Sequence, residues 1–386
     1  MNKYNFDLIA DRKNTDSIKY QEENILPMWV ADMDFKVLPE IVEAIKEKAN
    51  NGCFGYVDIL NGYYESYQSW IYDRYDINLP LEYFIYSTGV VATIDSIFKH
   101  LCKKGDKVML FTPIYHTFFH CIEHNNLTLE EFQLDYNERY HQYHLDFDKL
   151  ESSLKDNNIK ILLLCNPHNP TGHIYSLQEL ENIVTLCNKY HVLLISDEIH
   201  GDITSPIYLY NPIFKLDHKL LDNVIVLTAP TKAFNLASLH TSVAIIKDEK
   251  LRELVQEGLY QDDVGEPNYF SCVATIAAYK YGKRWNLEMR QYIENNKDYC
   301  SSYLLKELPH LHIVEGNATY LIWVDISYYS HDSKDFSLRL KKETGLMVSS
   351  GDAFHGNGNN FIRINLATSL HNVKDALNRL KVFLKK

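Results

Sequence analysis

The feature that most constrains the fold is a series of short apolar segments that recur through the middle of the chain. Each is apolar at consecutive positions, which is typical of strands buried on both faces of a parallel sheet. The segments are 106–111 (DKVMLF), 159–165 (IKILLLC), 192–197 (VLLISD), 224–229 (VIVLTA) and 241–247 (TSVAIIK). They predict one large, mostly parallel sheet at the core of the chain.

Helical patterns lie between some of these strands. The stretch 176–191 begins with Ser176 and has Glu179 three residues later, which is the pattern of a capping box. Apolar residues then recur at helical spacing along one face. Strands that alternate with helices predict α/β architecture.

The pattern of apolar and polar residues changes beyond about residue 275. Residues 271–308 have the pattern of a long helical stretch, whereas 318–326 and 359–367 alternate like strands of a half-exposed antiparallel sheet. A chain of 386 residues is long enough for one large domain and a smaller one. We predict an N-terminal segment (1–45) that joins the smaller domain, a large domain (46–275) and a smaller C-terminal domain (276–386).

Charge and cysteine content exclude several classes of protein. The 39 basic and 51 acidic residues give a net charge of -12, which opposes binding to nucleic acid. The seven cysteines are scattered and form no C-x-x-C pair, which argues against a disulfide framework or a zinc cluster. Residues 1–17 lack the apolar segment of a signal peptide, and no apolar run reaches the roughly 20 residues of a membrane span. We therefore expect a cytoplasmic protein without a nucleic-acid or membrane partner.

Three polar features stand at the ends of predicted strands. Asn169 lies in the loop 165–172 (CNPHNPTG), Asp197 ends the strand VLLIS, and Lys232 follows the strand VIVLT. The carboxyl ends of parallel strands meet at one edge of a sheet, where α/β folds bind ligands. Taken singly, each feature also has an ordinary interpretation: a turn, a solvated carboxylate and a lysine that points to water.

A metal site offers another interpretation of the segment around Asp197. Glu198, His200 and Asp202 are possible ligands, but the segment has no H-E-x-x-H spacing and no cysteine partner. We therefore expect no metal.

The order Asn169, Asp197, Lys232, with separations of 28 and 35 residues, resembles the pyridoxal-phosphate enzymes of the aspartate aminotransferase superfamily. Further segments resemble its MalY/PatB branch, which contains cystathionine beta-lyases and related carbon–sulfur lyases. These segments are 27–35 (PMWVADMDF), 54–58 (FGYVD), 166–172 (NPHNPTG), 196–202 (SDEIHGD) and 229–237 (APTKAFNLA). The resemblance extends over nearly the whole chain.

The resemblance implies fold type I, with a mostly parallel seven-stranded sheet in the large domain and a smaller α+β C-terminal domain. It implies that pyridoxal 5'-phosphate is the cofactor and that three residues are catalytic. Lys232 would hold the cofactor and act as general base, Asp197 would pair with the pyridine nitrogen, and Tyr115 would stack on the ring. Asn169 would bind the ring oxygen, with His200 near the same oxygen.

The cofactor's phosphate needs hydrogen-bond donors. The segment around Gly89, Val90 and Val91 has the pattern of a turn that opens a helix, so its backbone N–H groups can face an anion. Thr231 adds a hydroxyl group. Many relatives have an arginine eight residues after the lysine, whereas this chain has His240, so the phosphate is expected to be held differently here.

Two further residues complete the predicted site. Arg363 lies between isoleucines in a predicted strand, where a guanidinium is costly unless it binds a carboxylate. The resemblance implies that Arg363, with Asn169, binds the α-carboxylate of the substrate. It also implies that Tyr56 reaches the phosphate of a neighbouring subunit, which predicts a homodimer with shared active sites.

The expected activity is cleavage of L-cystathionine or related S-substituted cysteines to pyruvate, ammonia and a thiol such as homocysteine, in methionine metabolism. An aminotransferase shares every cofactor-binding residue and remains an alternative. A regulatory protein that binds the cofactor without useful turnover is a second alternative, which the intact set of Lys232, Asp197, Asn169 and Arg363 disfavours.

Overall fold

Residues 3–385 are described by a computed structural model, and a seven-stranded sheet lies at their centre. The strands are β1 (Leu26–Pro27), β2 (Phe84–Ser87), β3 (Lys107–Thr112), β4 (Thr128–Gln133), β5 (Asp135–Asn137), β6 (Gln142–His144), β7 (Ile159–Cys165), β8 (Leu193–Asp197), β9 (Val224–Thr228), β10 (Ser242–Ile246), β11 (His312–Ile313), β12 (Leu321–Asp325), β13 (Leu346–Met347), β14 (Ser349–Ser350) and β15 (Phe361–Asn365). The helices are α1 (Pro39–Ala49), α2 (Tyr63–Tyr75), α3 (Val90–Leu101), α4 (Thr117–His124), α5 (Phe147–Asp156), α6 (Leu177–Lys189), α7 (Pro230–Ala233), α8 (Glu249–Gln261), α9 (Ser271–Tyr281), α10 (Lys283–Glu307), α11 (Ser333–Thr344) and α12 (Leu370–Leu384).

The large sheet has the strand order β2-β10-β9-β8-β7-β3-β4. Strand β10 runs antiparallel to β2 and β9, and the other neighbouring pairs are parallel. The predicted α/β fold with a mostly parallel seven-stranded sheet is therefore confirmed. The expectation that 241–247 is a parallel strand was wrong, because β10 is buried at every position and apolar content does not encode strand direction.

Both faces of this sheet are covered. In β7, Ile161 and Leu163 belong to one apolar cluster, whereas Leu162 and Leu164 belong to another on the opposite face. Helices α3, α4 and α8 contribute to the first cluster, and α2, α5, α6 and α9 contribute to the second. Because both faces of the sheet are covered, ligands reach it at the ends of its strands.

The residues predicted to be functional lie at one edge of the sheet. The carboxyl ends of β2, β3, β7, β8 and β9 all point to it, because β2 and β9 are both antiparallel to β10. The amino end of β10 faces the same edge. Residues that follow five strands, and those that precede β10, are thus brought together.

The C-terminal part contains the antiparallel sheet β11-β12-β15-β14, as the sequence predicts. The expectation that it is half exposed was wrong, since β12 and β15 are buried at every position. Ile322 and Val324 pack with helices of this part, whereas Leu321 and Trp323 join the cluster that covers the large sheet. Apolar clusters therefore cover both faces of these strands.

The helical stretch 271–308 is divided into α9 and α10 at Gly282. A side chain at this position would overlap the ring of Phe234 and the carbonyl oxygen of Ala278, so glycine permits the close approach. The predicted limit after residue 275 falls within α9, and the domain ranges 1–45, 46–275 and 276–386 stay a prediction. Within residues 3–385, no helix combines the length and apolar composition of a bilayer crossing.

Buried ion pairs hold the N-terminal segment in place. Asp34 accepts hydrogen bonds from Lys19 at 2.9 Å and from Arg12 at 3.3 Å, and Arg12 also contacts Asp32 at 2.6 Å. Lys19 and Asp34 are both buried, so each charge depends on the other. Strand β1 pairs in parallel with β13, which attaches the same segment to the C-terminal part.

The loop 166–172 is held against the C-terminal part at Gly316. A Cβ on Gly316 would overlap the carbonyl oxygen of Thr171, two residues after Asn169. We predict that Gly316→Ala lowers the free energy of unfolding by about 1–3 kcal/mol, because the backbone must shift to admit a methyl group. Denaturant unfolding measures the change. Gly265→Ala is the control, since its nearest neighbours lie at 3.5 Å, and equal effects of the two substitutions would contradict the prediction.

Candidate active site

The carboxyl edge of the large sheet opens into a cavity of about 440 Å³. Loops that leave the strands converge at this edge, which is the usual ligand position in α/β folds. Residues singled out from the sequence that line the cavity are Gly89, Val90, Val91, Tyr115, Asn169, Asp197, His200, Thr231, Lys232 and His240. Arg363 reaches this wall through Asn169, whereas Tyr56 lies outside the cavity with its side chain fully exposed.

Lys232 lies in the short helix α7, which follows β9. Its Nζ donates a hydrogen bond to the backbone carbonyl of Ala31 at 2.8 Å. Burial, assisted by repulsion from Arg363, lowers the pKa of the Lys232 amine to about 8. An amine with this pKa is partly neutral near physiological pH, so it can act as a nucleophile or a base.

Asp197 is the last residue of β8 and is 5% exposed. Its Oδ1 accepts a hydrogen bond from the backbone N–H of Ile199 at 3.0 Å. Within residues 3–385, no basic side chain has a nitrogen within 4.0 Å of the Asp197 carboxylate, and burial raises its pKa to about 7. A buried carboxylate of this kind suits a cationic group on a ligand, which would keep it ionised.

Arg363 is buried in the middle of β15. Its Nη1 donates to Asn169 Oδ1 at 3.1 Å, and its Nη2 donates to the Trp29 carbonyl at 3.2 Å and to Ser349 Oγ at 3.3 Å. Its Nε is buried without a hydrogen-bond partner in the described chain, and no carboxylate there lies within 4.0 Å. Burial lowers the pKa of Arg363 to about 10, so the group stays charged and lacks a counterion.

His200 is buried with its Nδ1 unpartnered among the described residues. Burial, with the positive charges of Lys232 and Arg363, lowers the pKa of His200 to about 3. The imidazole is therefore neutral at physiological pH and has hydrogen-bonding capacity left for a ligand.

One side of the cavity is suited to an anion. Helix α3 begins with Gly89 as its N-cap, and the first N–H groups of a helix have no partner within the helix. Thr88, Thr231 and Thr241 line the same cavity and add hydroxyl groups. His240 also lines it, from the turn that precedes β10.

Sequence reasoning missed the contribution of Ala31 and Tyr320. The Tyr320 hydroxyl donates to the Ala31 carbonyl at 2.8 Å, so that oxygen accepts from both Tyr320 and Lys232. A backbone carbonyl gives no signal of its own in a sequence. The segment 27–35, which contains Ala31, was noted for its resemblance to the lyase branch, and that resemblance was the available signal.

The residues present fit pyridoxal 5'-phosphate. The cavity combines a reactive amine, a buried carboxylate without a cationic partner, unpartnered polar atoms and an anion-binding helix N-terminus. These features match the aldehyde, pyridine nitrogen, ring oxygen and phosphate of that cofactor.

Comparisons with known proteins agree with this architecture. The family described as Aminotransferase class I and II matches residues 23–380. Cystathionine beta-lyase PatB of Bacillus subtilis is 33% identical, over 98% of this chain and 100% of that protein. The solved structure of a pyridoxal-phosphate-bound putative aminotransferase from Clostridium difficile is 34% identical with a TM-score of 0.94, over 99% of this chain and 100% of that one. The solved structure of the pyridoxal-phosphate-bound C–S lyase from Staphylococcus hominis is 33% identical with a TM-score of 0.91, over 99% of this chain and 98% of that one.

The match to the family spans most of the chain, and the similar structures share its fold from end to end. This chain belongs to the aminotransferase class I and II family.

Proposed function

We propose that this chain is a pyridoxal-phosphate-dependent carbon–sulfur beta-lyase. Its substrates are L-cystathionine or related S-substituted cysteines together with one water molecule, and its products are pyruvate, ammonia and a thiol. The observation that carries the proposal is that the Lys232 amine and the Asp197 carboxylate line one cavity and the Arg363 guanidinium bonds to Asn169 in its wall, while none of the three forms an ion pair within 4.0 Å in the described chain. The names of PatB and of the C–S lyase favour this reaction within the family.

Different residues of the chain would hold different parts of the cofactor. In this proposal Lys232 would bind it covalently, Asp197 would pair with the pyridine nitrogen, Tyr115 would stack on the ring, and Asn169 and His200 would bind the ring oxygen. The phosphate is held by the N–H groups of Gly89, Val90 and Val91, with Thr231 and His240 beside them. When bound, the cofactor supplies an electron sink for the charge that develops at the substrate Cα.

The substrate is oriented by Arg363, which with Asn169 holds its α-carboxylate. Lys232 would act as the base that removes the Cα proton, and its lowered pKa makes it an effective base near neutral pH. The sulfur then leaves Cβ as a thiolate, which is a good leaving group. Asp197 assists because an ionised carboxylate stabilises positive charge on the pyridine nitrogen.

An aminotransferase is the main competing function, and the similar structure from Clostridium difficile is named as a putative one. Both reactions use the same cofactor-binding residues and begin with loss of the Cα proton. They differ in whether the proton returns to the cofactor or a group leaves Cβ. A regulatory protein that binds the cofactor without turnover is the second alternative.

We also propose a homodimer in which Tyr56 completes the partner's site. Residues 52–60 have no regular secondary structure, and Tyr56 is fully exposed. Phe54 anchors this segment on the ring of Tyr269, with ring centroids 5.2 Å apart. An exposed tyrosine on an anchored segment is suited to reach a second subunit. The expected location remains the cytoplasm.

A product assay tests the reaction type. With L-cystathionine, we expect pyruvate, ammonia and thiol in equal amounts, faster than amino transfer from alanine to a 2-oxo acid. The physical reason is that thiolate departure from Cβ competes successfully with return of the proton. Lys232→Arg is the control and should abolish both reactions. Thiol release no faster than amino transfer would favour the aminotransferase, and no turnover at all would favour the regulatory protein.

The lowered pKa of Lys232 predicts a pH dependence for cofactor attachment. Only the neutral amine attacks an aldehyde, so the rate of covalent attachment to the cofactor-free protein should rise as pH increases through about 8. An ordinary lysine would show this rise near pH 10.4, the usual pKa of its amine. Stopped-flow absorbance of the bound cofactor measures the rate, with Lys232→Arg as the control. A rise seen only near the ordinary lysine pKa would contradict the assignment.

Subunit mixing tests the role of Tyr56. Neither Tyr56→Ala nor Lys232→Ala should be active alone, but a hybrid dimer contains one site free of both changes. Equal mixing should therefore restore about one quarter of wild-type activity, because half of the dimers are hybrids with one intact site each. Subunit exchange is verified with differently tagged chains. Verified exchange without recovered activity would mean that Tyr56 does not act across an interface.

A further inference from the structure

His116 is a polar residue beside the site for which the proposed mechanism has no use. It is the N-cap residue of α4 and directly follows Tyr115, whose ring centroid lies 5.0 Å away. Its side chain is half-buried, and its Nδ1 is buried without a partner in the described chain. A buried polar atom without a partner is costly unless a ligand satisfies it.

A structural histidine in the same neighbourhood has different contacts. His168, in the loop with Asn169, is bonded through Nδ1 to Thr171 Oγ1 at 2.9 Å and through Nε2 to the Phe111 carbonyl at 3.1 Å. Both of its ring nitrogens are therefore satisfied by the protein. His116 lacks this pattern, which favours a partner from outside the chain.

The surroundings of His116 point to the substrate's carboxylate. Phe354 contacts both His116, at 6.1 Å between ring centroids, and Arg363, whose Cζ lies 4.8 Å from the centre of the Phe354 ring. His116 and Arg363 thus pack against the same ring and are close enough to interact electrostatically, and Arg363 Nε is also unpartnered within residues 3–385. Burial and the positive charge of Arg363 hold the pKa of His116 at about 4, so its ring is neutral and carries one N–H donor.

We propose that His116 is a second recognition residue for the α-carboxylate, donating its N–H to a carboxylate oxygen that Arg363 also binds. This rests on the proposed function, in which Arg363 receives that carboxylate. A carboxylate has more lone pairs than one guanidinium satisfies, and a neutral donor adds a hydrogen bond without a second positive charge. A neutral imidazole is a poor acid, which argues against a role in protonating the departing thiolate.

Two amines that have no leaving group on Cβ, and so cannot undergo the proposed elimination, provide a test with the cofactor-loaded enzyme. 2-Methylalanine has an amine and a carboxylate but no Cα hydrogen, and isopropylamine is the same molecule without the carboxylate. Absorbance titration of the bound cofactor gives a dissociation constant for each. We expect His116→Phe to weaken 2-methylalanine binding by about 10-fold or more and to leave isopropylamine binding unchanged, because a hydrogen bond to a charged group is lost.

Two further variants complete the design. His116→Gln keeps a neutral donor and should retain part of the affinity, and it decides the test if His116→Phe does not fold. His124→Phe is the matched control, since His124 is exposed at the end of α4, two turns beyond His116. Equal weakening of both ligands, or of neither, would overturn the proposal. A fall in kcat on cystathionine with unchanged ligand binding would also overturn it and indicate a role at the leaving group. If wild-type enzyme does not prefer 2-methylalanine to isopropylamine, the proposed carboxylate site at Arg363 fails instead.

Discussion

The parallel pairing of β3, β7, β8 and β9 is the constraint on which the rest of the structure depends. Because these strands run in one direction, the residues that follow them emerge at one edge of the sheet. Asn169, Asp197 and Lys232 are far apart in sequence, yet they line one cavity for this reason. The two antiparallel pairings of β10 extend the same edge, since they bring the start of α3 to it from β2.

The site is built from charges that the protein removes from water and does not neutralise. Arg363 has no carboxylate within 4.0 Å in the described chain, and Asp197 has no basic nitrogen within that distance. The pKa of Asp197 rises and that of Lys232 falls for the same reason, namely burial. Such groups destabilise the fold until a ligand neutralises them.

Much of this arrangement was predictable from the sequence, and the failures have physical causes. The five core strands and the residues at their ends follow from apolar runs bounded by polar loops. The direction of β10 was not predictable, because burial on both faces gives the same apolar pattern in either direction. The edge strand β4 was missed because half-exposed positions dilute its apolar signal. The Ala31 carbonyl was missed because any residue can present one, and unpartnered atoms such as His116 Nδ1 are properties of packing rather than of residue type.

The carbonyl of Ala31 accepts hydrogen bonds from Lys232 and from Tyr320. In the proposed reaction Lys232 would both hold the cofactor and act as the base, so its amine would leave this carbonyl and return to it in every cycle. Tyr320 still donates to the carbonyl when the amine leaves, so departure of Lys232 does not leave a buried acceptor without a hydrogen bond. Because the carbonyl has two donors, the Lys232 amine can leave and return at little cost in free energy. The backbone at Ala31 need not rearrange between one turnover and the next.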